Sequence, residues 1–273
     1  MAFFRSRGRR EDIQRADDLL AQARALYTAG RYAEAEAEAR SVAAAQGRNP
    51  DDLAVPMALS IAALAASAQG HHAEALATYD AQLPVVSEVW GDEHRLTLKL
   101  RLGRAEVLNQ LGRHTESEEE CVAVCRAAAR ADMPYVVKDA LIGQIRALDM
   151  LGAHPAVEAV ARNVLAAHDG QDRFTVRVRF ALAHSLNAQG RYEEALAENK
   201  RADVLDRAFP REDRAPETGM AELNEATAFF GLGRNAQARP LAASAHRDCL
   251  AFYGPDHPRT LQARSLLDRI DGA

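Results

Sequence analysis

Lysine is nearly missing from this chain: of 34 basic residues only Lys99, Lys138 and Lys200 are lysine. Aromatic residues make up 5%, β-branched residues are sparse, and there are three cysteines. Each shortage excludes something. A sheet packs on β-branched and aromatic side chains, so too few of them argue against one. Three cysteines cannot build a disulfide framework, and the unbroken apolar runs are far short of a bilayer span. Nothing at the start reads as a secretory signal, so the expectation is a cytoplasmic protein with no integral membrane association. A glycine-rich phosphate loop, His-Glu-x-x-His, a nucleophile elbow and Cys-x-x-Cys are also missing. Without them the reading is a protein that is not an enzyme and takes no cofactor or metal.

What is present is alanine, arginine and acid. The formal net charge is -5, with Arg5, Arg7, Arg9 and Arg10 and no acid in residues 1–10, leaving 30 basic against 39 acidic residues elsewhere. An acidic body lacks the surface that neutralises phosphates, so no nucleic acid is expected as a partner. Residues 1–11 have no helical period and read as a basic flexible tail. Alanine and arginine are strong helix formers, which makes the expected fold class all-α.

From Glu11 the chain is punctuated by glycines at 30, 70, 112, 152, 190 and 233, with gaps of 40, 42, 40, 38 and 43 residues. That period belongs to solenoids. Each glycine can adopt the left-handed conformation that ends a helix, and a new helix starts at once. The first helices are predicted at 12–29, 53–69, 93–111, 135–151, 173–189 and 217–232. Their partners are predicted at 32–46, 72–90, 114–131, 155–168, 192–208 and 235–252, with a capping helix at 257–270 packed through Leu261, Leu266, Leu267 and Ile270. Residues 12–270 thus read as one superhelical domain of six hairpins. Pro134, Pro216 and Pro258 suit first-turn positions, whereas Pro84 and Pro240 inside second helices predict kinks or a break. Phe174, Val176, Val178 and Phe180 alternate like a strand, but repeat register and the stripe Phe174, Val178, Leu182, Leu186 favour helix.

Gly30-Arg31-Tyr32-Ala33-Glu34-Ala35 recurs as Gly190-Arg191-Tyr192-Glu193-Glu194-Ala195, and residues 91–98 recur in part at 254–261. Two residues after the turn glycines stand Tyr32, His72, His114, His154 and Tyr192; five after stand Ala35, Ala75, Ser117, Val157, Ala195 and Ala238. Seven before them stand Ala23, Ala63, Ala105, Ile145, Ala183 and Ala226. At these positions the chain resembles the tetratricopeptide repeat (TPR) family, in the long-period variety of kinesin light chains that is also abundant in bacterial multi-repeat proteins. The resemblance covers residues 12–270 and implies a right-handed α-solenoid whose first helices line a concave groove.

Residues 13, 10, 6 and 3 before each turn glycine form one stripe on a first helix. In the third repeat it holds Lys99, Leu102, Glu106 and Asn109; in the fourth, Asp139, Ile142, Arg146 and Asp149. In the fifth it holds Arg177, Phe180, His184 and Asn187, and in the sixth Met220, Leu223, Thr227 and Phe230. The last position is short and polar in four repeats, as Ser67, Asn109, Asp149 and Asn187. A solvent-facing ladder of such groups can hydrogen-bond the backbone of an extended peptide, and the apolar neighbours can take its side chains. The competing reading is a merely solvated inner face.

Other residues read as structure. Cys121 and Cys125 share a helical face and suit core packing better than metal or redox chemistry. The turn histidines stand in for tyrosine, while His94 and His257 suit helix starts. Glu116, Glu118, Glu119 and Glu120 read as a solvated helix-starting face. The expected function is a non-catalytic scaffold or adaptor that binds a protein or peptide segment in the groove. The alternative is a peptide-responsive regulatory switch controlling a separate partner, and an enzyme on this scaffold ranks last.

Overall fold

The computed structural model describes residues 18–45, 53–210 and 213–272, so the basic stretch 1–11 lies outside the described residues. Among these the chain is helical and has no strand. The helices are α1 (18–28), α2 (Tyr32–Ala45), α3 (Ala54–Ala68), α4 (His72–Trp90), α5 (Arg95–Gln110), α6 (His114–Arg130) and α7 (Pro134–Met150). They continue with α8 (His154–Ala167), α9 (Arg173–Ala188), α10 (Tyr192–Asp206), α11 (Met220–Gly231), α12 (Asn235–Tyr253) and α13 (Pro258–Asp271). The chain forms two compact units, Met1–Ala147 and Leu148–Ala273.

The turns explain the period. All six turn glycines have positive φ, between 68° and 87°. After each, the next amide bonds back across the helix end, as in Arg31 N to Leu26 O at 3.0 Å and Arg191 N to Leu186 O at 2.9 Å. This six-to-one bond satisfies a carbonyl that the helix end would orphan. Asp132, at φ 51°, does the same work between α6 and α7, where Met133 N reaches Ala128 O. The arginine after the glycine clamps the glutamate three residues on, in Arg31–Glu34, Arg113–Glu116 and Arg191–Glu194. These pairs are exposed and add little stability.

Small residues let the helices touch. The alanines seven before and five after the turns are buried throughout. Ser117 fits among them because its hydroxyl donates to Ala105 O at 2.7 Å. In unit 1, Tyr79 of α4 is fully buried and fills the space over Gly103 of α5, where an added Cβ would lie 2.4 Å from the phenol oxygen. Cys121 of α6 sits likewise on Gly143 of α7, at 2.7 Å from such a Cβ. Burial pushes both groups up, the phenol and the thiol each to about 12. A glycine inside a helix costs about 1 kcal/mol, and this close approach explains both.

Elsewhere the structure refines the reading. Phe174 to Phe180 lie within α9, and His94 and His257 cap α5 and α13 through their ring nitrogens. Helices α4 and α12 run unbroken through Pro84 and Pro240. Helix α11 starts at Met220 instead of 217, because Ala215–Glu217 form a 3-10 turn and Gly219 takes φ 74°. Leu266 and Ile270 of α13 pack with Leu223, Ala226, Ala238, Ala242 and Ala245. Leu261 is 52% exposed, because the buried face of α13 runs through Thr260 and Ala263. The acidic run is partnered: Glu120 accepts from Arg101 at 2.6 Å and Glu118 from Gln144 at 2.8 Å.

Candidate binding faces

The stripe predicted for the first helices takes form separately in each unit. In unit 1, Glu106 of α5 is ion-paired with Arg146 of α7, its equivalent one repeat later. Lys99 is exposed and makes no ion pair among the described residues. Leu102 and Ile142 are half-buried, Leu102 against Leu98, Val124 and Val136. In unit 2, Asp149 Oδ1 lies 3.4 Å from His184 Nε2 and 3.6 Å from His154 Nδ1. The two imidazoles meet edge to face at 6.2 Å. Arg177 is exposed, and its Nε lies 3.5 Å from Glu217. Thr227 donates to Leu223 O, and Phe230 lies under the Arg269 guanidinium at 4.9 Å.

The amide ladder differs from expectation. Asn109 is 7% exposed and Asn187 6%, so neither faces solvent. The residue three before the turn reaches across it to the residue two after. Ser67 and His72 are 3.0 Å apart, as are Asn109 and His114, and the rings of Tyr27 and Tyr32 meet at 5.4 Å. The short polar groups are therefore used in closing hairpins. Asn187 donates instead to Asn224 O at 2.8 Å, while Asn224 donates to Phe180 O at 3.1 Å. Asn199 joins this buried set through Ala221 O at 2.9 Å. Phe180, expected in the groove, is 1% exposed and packs with Val176 and Ala202.

Sequence reasoning passed over α10. Its Glu198 is buried, accepts from Arg179 of α9 at 2.7 Å, and is ion-paired with Arg201. The signal available was Lys200, a rare lysine beside Arg201 on a second helix. Cys121 is buried and Cys125 half-buried, both with pKa raised by burial. Among the described residues no group of three His, Cys, Asp or Glu is arranged to hold a metal ion, and no helix is long and apolar enough to cross a membrane.

The family described as Tetratricopeptide repeat matches residues 19–41, 56–81 and 176–198. Nearly identical TPR-like repeats of kinesin light chain type from Podosopora anserina align at TM-score 0.59 and 19% identity, over 72% of this chain and 97% of that one. A tetratricopeptide repeat protein from Parabacteroides merdae aligns at TM-score 0.55 and 16% identity, over 95% of this chain and 93% of that one. At such identities the likeness is one of fold: an all-α solenoid of helical hairpins. No curated protein matches the sequence.

Proposed function

We propose that the chain is a non-catalytic scaffold that holds a protein or peptide segment on its first-helix faces, a reading supported by its tetratricopeptide repeat matches at 19–41, 56–81 and 176–198. What supports this reading is the meeting of stripe residues from successive first helices, Glu106 with Arg146 in unit 1 and Asp149 with His184 in unit 2. Neighbouring first helices therefore present their charged positions together. In unit 1 Lys99 and Arg146 supply exposed cations beside half-buried Leu102 and Ile142; in unit 2 Arg177 is an exposed cation, and Thr227 and Phe230 lie on the first helix of the last hairpin. Exposed guanidinium groups favour acidic ligands, and the mechanism is recognition alone. Asn109, Asn187 and Phe180 act beneath these faces by fixing the helices that carry them.

The test is affinity capture with the intact chain beside a variant carrying Lys99→Glu, Arg146→Glu and Arg177→Glu. The variant is expected to fold, with a melting temperature lowered by the loss of the Arg146–Glu106 and Arg177–Glu217 pairs, and to lose the captured proteins. Capture of the same proteins in the same amounts by a folded variant would sink the reading.

A further inference from the structure

The second-helix side of unit 2 carries a recess lined mainly by α10 and its neighbouring connection, with Thr175 and Arg179 of α9 next to the stripe positions Arg177 and Phe180 but lining the recess. It encloses about 780 Å³ between the end of α8, the 168–171 connection, the first turns of α9 and the length of α10. Leu165, Val204 and Leu205 give it an apolar lining, Leu165 and Leu205 half-buried and Val204 65% exposed. Lining residues extend along α10 from Ala197 to Leu205, with Ala208 just past its end. From Ala197 to Leu205, at a helical rise of 1.5 Å per residue, that is about 12 Å, the span of about four residues of extended chain.

The rim carries unmatched positive charge. Glu198 alone organises two guanidinium groups, Arg179 and Arg201, so one positive charge remains over. Lys200 adds a second, since its ammonium makes no ion pair or hydrogen bond among the described residues. The one carboxylate among the described lining residues is Asp169, exposed on the connection. His168 faces Asp172 at 3.2 Å. The connection stays beside the recess because Asp172 caps α9 through Thr175 N at 3.0 Å and Thr175 donates to Gly170 O at 2.5 Å.

We propose that this recess docks an acidic, leucine-bearing segment of a partner protein, as a surface separate from the first-helix faces. Arginines held in place by a buried carboxylate meet an incoming carboxylate without losing side-chain freedom at that moment. The apolar lining takes aliphatic side chains at alternate positions, and the length of α10 matches an extended segment. A bilayer surface would meet the cations, but the half-buried Leu165 and Leu205 suit the single side chains of a peptide, so the peptide is the better match.

The probe is a fluorescein-labelled peptide of alternating Leu and Asp or Glu, titrated against the full chain by fluorescence anisotropy. Its counterpart has Lys at every acidic position. The acidic peptide is expected to bind, more weakly as salt rises, and the basic one to fail. Lys200→Glu with Arg201→Glu is expected to weaken binding at least tenfold, at a melting temperature that falls only slightly because Glu198 keeps Arg179, and Val204→Asp to weaken binding as much at an unchanged melting temperature. Equal affinity for wild type and these variants overturns the proposal, as does no binding by wild type. Binding abolished by Arg177→Ala and untouched at Lys200 overturns it too, because the peptide then sits on the first helices. Retention on phosphatidylserine vesicles without peptide binding would replace the partner protein by a membrane.

Discussion

The connections before and after the α9–α10 hairpin hold the same place in successive repeats, yet they treat charge in opposite ways. The first, 168–172, is five residues long and leaves the basic rim of α10 open. The second, 207–219, is thirteen residues long, and its described part folds down onto unit 2. There Tyr253 donates to Ala215 O at 3.2 Å and Arg259 to Thr218 O at 3.1 Å. Gly219 presses so closely on Cys249 that a Cβ would lie 2.5 Å from its sulfur. The cavity beside it, about 850 Å³, has more acidic residues than the recess at 168–171, including Asp203, Asp206, Glu217 and Glu222. Arg173, however, already pairs with both Asp206 and Glu217, and Arg177 supports the latter. Charge matched inside a fold holds the fold, whereas charge left over at a rim is available to a ligand.

That contrast breaks most readily at Arg173. Its replacement by alanine strands Asp206 and leaves Glu217 with Arg177 alone, the two carboxylate side chains being 14% and 7% exposed. Breaking such a pair costs about 2–3 kcal/mol once the partial exposure of Arg173 is allowed for. Urea unfolding of Lys200→Ala, across α10, should differ from wild type by about 0.5 kcal/mol or less. Equal effects at the two sites would erase the distinction. A smaller loss, about 1–2 kcal/mol, is expected for Asn187→Ala, which removes a buried donor from Asn224 O. A thermal melt that does not move would return Asn187 to the ligand-facing role read from its spacing. The smallest effect belongs to Glu225, whose pKa is raised by burial and then by Asp203 and Glu222. Its folded-state pKa lies above its unfolded value, so the native state binds this proton more readily. The group therefore favours folding below the ordinary glutamate range, and that advantage is lost as pH rises through the raised pKa. Glu225→Gln should raise the melting temperature slightly at pH 7 and lose that gain in acid; a drop at pH 7 would show a missed partner.

How much of this was legible depended on whether a residue's partner was local. Turn glycines, Pro134 and Pro258 at helix starts, and the alanines at crossings act within their own hairpin or by being small, so the spacing carried them. Asn109 was legible as a polar group on the stripe, but not as the mate of His114 across the turn. Asn187 has Tyr192 there and reaches 37 residues onward to Asn224. Phe180 was read as a groove residue because it recurs in register, although side chains of the following hairpin cover it. The basic recess was hidden because Arg179, Glu198 and Arg201 become one unit only when α9 packs on α10.

The fit of Tyr79 over Gly103, and of Cys121 over Gly143, has a consequence for how such a chain evolves. Each knob stands nine residues after a turn glycine, and each hollow nine before the next. The same hollow position holds Ile61, Ala181 and Asn224 in other repeats. A crossover that set the 173–208 hairpin directly behind Tyr79 would drive the phenol into Ala181. Hairpins that look like copies are thus no longer spare parts for one another. Their order along the chain is a heritable address, and unequal recombination between repeats would tend to yield chains that fail to pack.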